Sequence, residues 1–277
     1  MKTVTLPSGE RVPAFGLGSW NLGDDRSMRA EEIASLRLGL DLGATLIDTA
    51  EMYGEGRAEE LIAEAIAGRR DEVFLVSKVY PHNASAKGAI AACERSLKRL
   101  KTDRIDLYLL HWRGAVPLAE TLQVFMRLKE AGKIRHYGVS NLDLADMQEL
   151  WRLPGGDAVA TNQLLYNLTR RGIEWDLLPW LCQRRVPLMA YSPLEQARLA
   201  DNRKLAGFAG RHGMTPAQAA LAWLLAREDV IVIPKTGSRG RLKQNLGALD
   251  HALTPAQLAE LDRLFPPPEG ASALQML

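Results

Sequence analysis

The stretch TLIDTAEMYGEGRAEELIAEAIAGRRDEVFLVSKV, residues 45–79, decides the fold. It opens on an apolar run, TLIDTA, that closes around Asp48. Its middle, AEELIAEAIAG from Ala58 to Gly68, spaces apolar residues three and four apart. It ends on a second apolar run, VFLVSKV from Val73. Strand, amphipathic helix, strand is one crossover unit of a buried parallel sheet. The same unit recurs along the chain. Further strands are expected at AFGLGS (from Ala14), IDLYLLHW (Ile105), IRHYGVSN (Ile134), AVATNQ (Ala158), VPLMAYSP (Val186) and VIVIPKT (Val230).

Eight such units without a linker fit an α/β fold of the (β/α)8 TIM-barrel type, typically about 250 residues long. We expect one domain over residues 1–277, its tail after about residue 265 loose. Two pieces stand outside the repeat. TVTLPSGERVPAFG reads as an N-terminal β-hairpin turning at Ser8-Gly9. Two extra helices near the C-terminus are expected at 238–250 and 254–264, the second capped by Thr254 with Pro255 at its first position. The competing fold, an open sheet binding a dinucleotide, wants three glycines at its first strand-to-helix turn. Gly16 and Gly18 supply two, and Asn21 stands in the third place.

Composition narrows the function classes. Apolar residues make up 47%, charged residues 25%, and the formal net charge is +2. Near-neutral charge argues against a nucleic-acid binder. The basic stretch ERSLKRLKTDR, from Glu94, carries acids among its bases and reads as a solvated helix face. Cys93 and Cys182 have no paired spacing, so both are expected as reduced, small apolar side chains in helices. MKTVTLPSGE lacks the apolar centre of a secretion signal, and no apolar run approaches a membrane span. The expectation is a cytoplasmic protein, without nucleic-acid or membrane partners, and a monomer.

In a barrel the active site sits at the C-terminal strand ends. Read in order, these ends give Trp20, Asp48 with Tyr53 in the loop beyond, Lys78, then His111 with Trp112. Ser140 and Asn141, Asn162 and Gln163, Tyr191 and Ser192, and Lys235 and Thr236 follow. Each has an ordinary reading when taken alone. Asp48 fits a cap, Lys78 a snorkelling lysine, His111 a bonded core histidine and Tyr53 a packing ring. Together they are chemically coherent. Asp48 can neutralise a buried Lys78, and Lys78 would lower the Tyr53 pKa from about 10 and make it a better proton donor. His111 can orient a carbonyl oxygen. No nucleophile elbow or metal-ligand cluster is present, so the missing reactant would be a cofactor hydride.

The motifs GLGSW, LIDTAEMYG, VSKV, LYLLHW, IRHYGVSN, TNQLLYN, MAYSPL and IPKT with RLKQN resemble the aldo-keto reductases in order and spacing, from the hairpin to about Phe265. Within that family the chain is most similar to bacterial reductases of small aldehydes of the methylglyoxal type. The resemblance implies NADPH-dependent reduction of aldehydes and reactive ketones, with Asp48, Tyr53, Lys78 and His111 catalytic and Tyr53 the proton donor. It implies Ser140, Asn141 and Gln163 on the cofactor carboxamide, Tyr191 stacked on its ring, and Ser192 and Leu194 beside the pyrophosphate. Lys235, Thr236 and Arg241 would clamp the adenosine 2′-phosphate, with Gln244 and Asn245 near the adenine. A phosphate dianion suits such a donor set at a helix start, which favours NADPH over NADH. Gln244 departs from the family's usual Glu.

Trp20 and Trp112 are the expected walls of the substrate pocket, with Tyr80 and Trp175 as further candidates. Arg113 is read either as an attractor of anionic substrates or as a surface ion pair. The competing function is a cofactor-binding redox sensor or regulatory subunit with slow turnover.

Overall fold

The computed structural model describes residues 1–277. Strands β1 (Thr3–Thr5) and β2 (Arg11–Pro13) pair antiparallel. Gly9, at φ +87°, makes the turn between them, and its N–H donates to the Leu6 carbonyl. The chain then alternates β3 (Gly16–Gly18), α1 (Arg29–Asp41), β4 (Leu46–Asp48), α2 (Arg57–Ala65), β5 (Phe74–Val79) and α3 (Gly88–Leu100). It continues with β6 (Ile105–Leu110), α4 (Leu118–Glu130), β7 (Ile134–Ser140), α5 (Leu144–Trp151), β8 (Asn162–Leu165) and α6 (Leu177–Gln183). Last come β9 (Leu188–Tyr191), α7 (Arg203–Arg211), α8 (Pro216–Leu225), β10 (Val230–Val232), α9 (Arg239–Leu246) and α10 (Pro255–Leu264).

Strands β3 to β10 form one parallel eight-stranded sheet in sequential order. Its two edges meet. Val232 N–H donates to the Ala14 carbonyl at 2.8 Å and Gly18 N–H to the Pro234 carbonyl at 3.1 Å, which closes the expected (β/α)8 barrel. Glycine is required at this seam, because a Cβ on Gly18 would stand 2.7 Å from the Ile233 carbonyl oxygen.

Every residue of β5 and β6 is buried, which is why those runs read as continuously apolar rather than alternating. Fully burying one such aliphatic side chain contributes about 1.5–3 kcal/mol. A few of them offset the several kcal/mol that a buried charge costs, and this barrel carries such charges.

Three boundaries differ from expectation. AVATNQ is not a strand from Ala158. A 3-10 turn over Gly156–Ala158, entered through Gly155 at φ +80°, takes Ala158; Val159–Thr161 run beside β7, with Ala160 N–H donating to the Tyr137 carbonyl at 2.9 Å, and β8 begins at Asn162. The β9–β10 crossover contains two helices, the second opened by a Thr215 and Gln218 capping box. The helix expected from 238 to 250 ends at Leu246 and finishes as a 3-10 turn, Gly247–Asp250. Thr254 caps α10, with Pro255 at its first position.

The tail after Phe265 has no helix or strand, yet it returns to the barrel instead of trailing away. Leu274 packs against the core, and the Leu277 N–H lies 3.4 Å from the Tyr191 hydroxyl. Ser272 to Gln275 roof a cavity of about 310 Å³ floored by Leu144, Leu165 and Ile173. No helix is long and apolar enough to cross a membrane.

Candidate active site

Lys78 stands at the centre of the barrel mouth with its side chain 0% exposed. Its Nζ donates to Asp48 Oδ2 at 2.8 Å, to the Thr49 carbonyl at 2.8 Å and to Tyr53 Oη at 3.2 Å. Three acceptors satisfy the three N–H groups of an ammonium. Asp48 is 2% exposed, and its other oxygen accepts from Gln163 Nε2 at 2.8 Å. The His111 ring meets the Tyr53 ring edge-on, 5.8 Å between centroids. The four residues picked out at neighbouring strand ends therefore form one contiguous group.

Local backbone geometry sets Tyr53 in place. It closes the short loop after β4, and the next three residues, Gly54, Glu55 and Gly56, all take left-handed conformations before α2 begins. Such a run reverses the chain within a few residues, and glycine at two of three positions limits its cost. The phenol is thereby folded back over Lys78.

The electrostatics correct one expectation. Lys78 was expected to lower the Tyr53 pKa; instead burial raises it well above 10, and the Asp48 charge pushes the same way. Asp48 offsets part of the Lys78 charge, and what remains at the phenol does not outweigh the loss of water. Tyr53 thus holds its proton firmly in the resting site. Burial also lowers the Lys78 pKa, with Asp48 opposing. His111 is pushed down to about 2, by burial first and then by Lys78, so its imidazole is neutral.

A second group of polar side chains lines the mouth. Ser140 Oγ donates to the Gln163 carbonyl at 2.9 Å. Asn141 Nδ2 reaches Ser140 Oγ at 3.1 Å and the His111 carbonyl at 3.2 Å, while its Oδ1 accepts from Tyr191 Oη at 3.0 Å. Asn141 and Ser192 both have positive φ, 56° and 46°, a strain that collects at functional sites. Beyond Ser192, half-buried Leu194 leads to Glu195, which accepts from Asn167 Nδ2 at 2.8 Å and Arg170 Nη2 at 2.7 Å. Asn162 and Gln163, expected to end a strand, begin β8. Gln163 nonetheless reaches the site, and Asn162 is held by the Leu142 carbonyl.

At the rim, Lys235 and Thr236 lead into α9. Arg241 Nε lies 3.4 Å from Thr236 Oγ1, which also accepts from the Ser238 N–H at 3.1 Å. The salt bridges of this structure include neither Lys235 nor Arg241, whereas neighbouring Arg239 is paired with Glu31. Two unpaired cations, a hydroxyl and a helix start suit a phosphate. Gln244 is exposed on α9 and Asn245 is buried.

Among the expected walls, Trp112 tilts against His111 at 4.9 Å and meets Tyr80 edge-on at 5.6 Å. Trp20 is 45% exposed just beyond β3. Trp175, half exposed after a short turn, makes no aromatic contact with this group. Arg113 is bound to both Asp146 and Glu149 on α5, the ion-pair reading of that residue. Cys93 is buried as expected, but Cys182 is exposed on α6.

Sequence reasoning missed the Thr49 carbonyl, which leaves no mark on residue type. Glu51, in the loop between Asp48 and Tyr53, is buried too, accepting from the Tyr80 N–H at 2.8 Å and Asn83 Nδ2 at 3.0 Å.

Comparison with known proteins supplies a separate line of observation. Residues 14–265 match the model of the Aldo/keto reductase family. The chain is 50% identical to methylglyoxal reductase YeaE of Escherichia coli (strain K12), over 100% of this chain and 99% of that protein. It is 32% identical to the glyoxal reductase of Bacillus subtilis (strain 168), covering 95% of this chain and 92% of that one. It superposes on an aldo-keto reductase from Klebsiella pneumoniae in complex with NADPH with a TM-score of 0.97, at 50% identity, covering 100% and 99% of the two chains.

Proposed function

Because the chain belongs to the aldo/keto reductase family, we propose that it reduces small reactive carbonyl compounds, α-dicarbonyls of the methylglyoxal kind foremost. The activity is NADPH-dependent reduction of carbonyls to alcohols. One observation carries the residue assignment: Lys78, without solvent contact, lies between Asp48 at 2.8 Å and the Tyr53 hydroxyl at 3.2 Å. The phenol oxygen takes the third N–H of the buried ammonium, and the same bond would make the phenol's conjugate base tolerable.

The residues present fit the cofactor. Unpaired Lys235 and Arg241 with Thr236 would hold the 2′-phosphate. Ser140, Asn141 and Gln163 would hold the carboxamide, Tyr191 the ring, and Ser192 and Leu194 the pyrophosphate side. Gln244 and Asn245 fall where the adenine would lie. NADPH, when bound, supplies a hydride.

The chain's own residues do the rest. Tyr53 presents a firmly held proton to the carbonyl oxygen, so none is lost before charge develops there. As that oxygen becomes negative, the proton leaves Tyr53 Oη, and the Lys78 ammonium at 3.2 Å stabilises the phenolate left behind. Asp48 keeps Lys78 in position and charged. Neutral His111 offers an N–H to orient the oxygen without competing as an acid. Trp20 and Trp112 would wall the substrate side of the mouth. The same reading keeps the protein monomeric and cytoplasmic, on the grounds of its sequence. The comparisons give no support to a slow-turnover sensor.

Tyr53→Phe tests the assignment. Its kcat with methylglyoxal and NADPH should fall by about 10²–10⁴-fold, the range for loss of a general acid, with NADPH binding by fluorescence retained. Full activity in that variant would remove Tyr53 from the reaction.

A further inference from the structure

Behind the catalytic face of β5 lies a second buried carboxylate that the reaction, as described, does not use. Lys78 points into the barrel mouth, so its neighbour Ser77 points the other way, into the layer between the sheet and its helices. There Ser77 Oγ donates to Glu59 Oε1 at 2.8 Å. Glu59, on α2, is 0% exposed. Its other oxygen accepts from Arg99 Nε, on α3, at 2.6 Å. Arg99 in turn lies over Gly56, where an added Cβ would stand 2.4 Å from Arg99 Cδ. Gly56, at φ +95°, ends the left-handed turn that carries Tyr53.

One carboxylate thus joins the strand bearing Lys78 to the turn bearing Tyr53, by two routes. Ser77 holds β5 directly. Arg99 packs over Gly56, three residues beyond Tyr53. We infer that Glu59 is a positioning residue for carbonyl reduction: through Ser77 and Arg99 it sets the Lys78–Tyr53 contact, and its buried charge helps keep Lys78 an ammonium. This inference rests on the assignment of Tyr53 and Lys78 made above.

The groups facing Lys78 are Asp48 on β4, Tyr53 on the turn and His111 after β6. Those facing Glu59 are Ser77 on β5, Arg99 and Cys93 on α3 and Tyr108 on β6. Among them only Asp48 and Glu59 carry negative charge near Lys78, and both act to raise its proton affinity. Arg99 compensates Glu59 from the far side, at 21% side-chain exposure. Screening by water is therefore stronger at Arg99 than on the dry side facing Lys78.

The experiment compares pH profiles of kcat, with methylglyoxal and saturating NADPH, for wild type, Glu59→Gln, Glu59→Asp and Ser77→Ala. Glu59→Gln keeps the shape and removes the charge. Its kcat should fall about 10-fold, with the alkaline limb moved to lower pH and KM for NADPH within about twofold of wild type. Glu59→Asp should keep the limb in place while lowering kcat, since charge remains and reach is lost. Ser77→Ala leaves the Glu59–Arg99 pair intact and cuts only the link to β5; a several-fold loss of kcat without a shifted limb is expected. Should Glu59→Gln not fold, Ser77→Ala and Glu59→Asp decide alone. A Glu59→Gln enzyme with lowered thermal stability but wild-type kcat and pH profile, or a wild-type kcat in Ser77→Ala, would overturn the inference. Tyr53→Phe, assayed alongside, separates the two readings: if it stays active, the assignment of the acid fails first.

Discussion

The two ends of this barrel each bury an aspartate, at the same exposure and with comparable partners, and in the proposed reaction only one of them is a site. At the base, Asp106 is 2% exposed and accepts from Arg70 at 2.8 Å, Arg135 at 2.9 Å and the Leu75 N–H at 2.8 Å. At the mouth, Asp48 is also 2% exposed and accepts from Lys78 and Gln163, each at 2.8 Å. The cations make the difference. Guanidinium groups hold their protons throughout the working range and present a fixed fork of donors, so the base is a static ion lattice tying β5, β6 and β7 together. An ammonium shared with a phenol has a transferable proton next to it. A buried carboxylate marks a place where charge is managed; what it is bonded to says whether chemistry follows.

The largest test of that contrast is Lys78→Arg. It keeps a cation beside Asp48 but imposes the geometry found at the base. We expect kcat to fall by roughly 10³-fold, at the scale of losing a preorganised electrostatic partner, with the protein still folded by circular dichroism. Near-normal turnover would erase the distinction between the two ends. Asp106→Ala should do the reverse. Arg70 loses its acid partner while Arg135 keeps Glu10, which should cost about 2 kcal/mol in urea unfolding, while kcat stays within about twofold.

The arginines sharpen the same point at smaller cost. Arg70 is paired with Asp106, and Arg135 with Asp106 and Glu10, whereas Arg241 at the mouth has no acid partner. Arg241→Ala should raise KM for NADPH about 10-fold, the value of a charge-assisted hydrogen bond, leaving NADH and thermal stability nearly unchanged. Equal losses with both cofactors would remove the phosphate clamp.

The last test concerns pH. His111 has a folded pKa of about 2, below its unfolded 6.5. The unfolded chain therefore takes up that proton first, and stability present above pH 6.5 is lost as pH falls, by up to about 1.4 kcal/mol per unit. His111→Gln should flatten the stability profile between pH 6.5 and 5; an unchanged slope would show the imidazole to be solvated.

Legibility in the sequence followed what residue type alone can encode. The eight strands were visible because parallel strands buried on both faces become continuous apolar runs, and polar residues at their ends stand out against that background. Asp48 beside Lys78 was legible because two opposite charges at adjacent strand ends have no other partner so well placed. AVATNQ misled at its start because an apolar stretch says nothing about the 3-10 turn, entered through an αL glycine at 155, that claims Ala158. Glu59 was hidden among AEELIAEAIAG, where a glutamate on an amphipathic helix reads as solvent-facing. Its burial depends on Arg99, 40 residues away. The tail offered no periodicity, so its return to Tyr191 could not be read.

The sequence by itself determined the barrel, the order of its units and the residue types at its mouth, since periodicity and strand ends are local properties of the chain. Tertiary structure alone decided how those residues act on one another. The raised pKa of Tyr53 depends on burial and on Asp48 screening Lys78. The amide of Gln163 reaches Asp48 from across the barrel, and Arg113 is claimed by α5. The strength of a charge depends on the water and partners around it, and closure of the barrel supplies both.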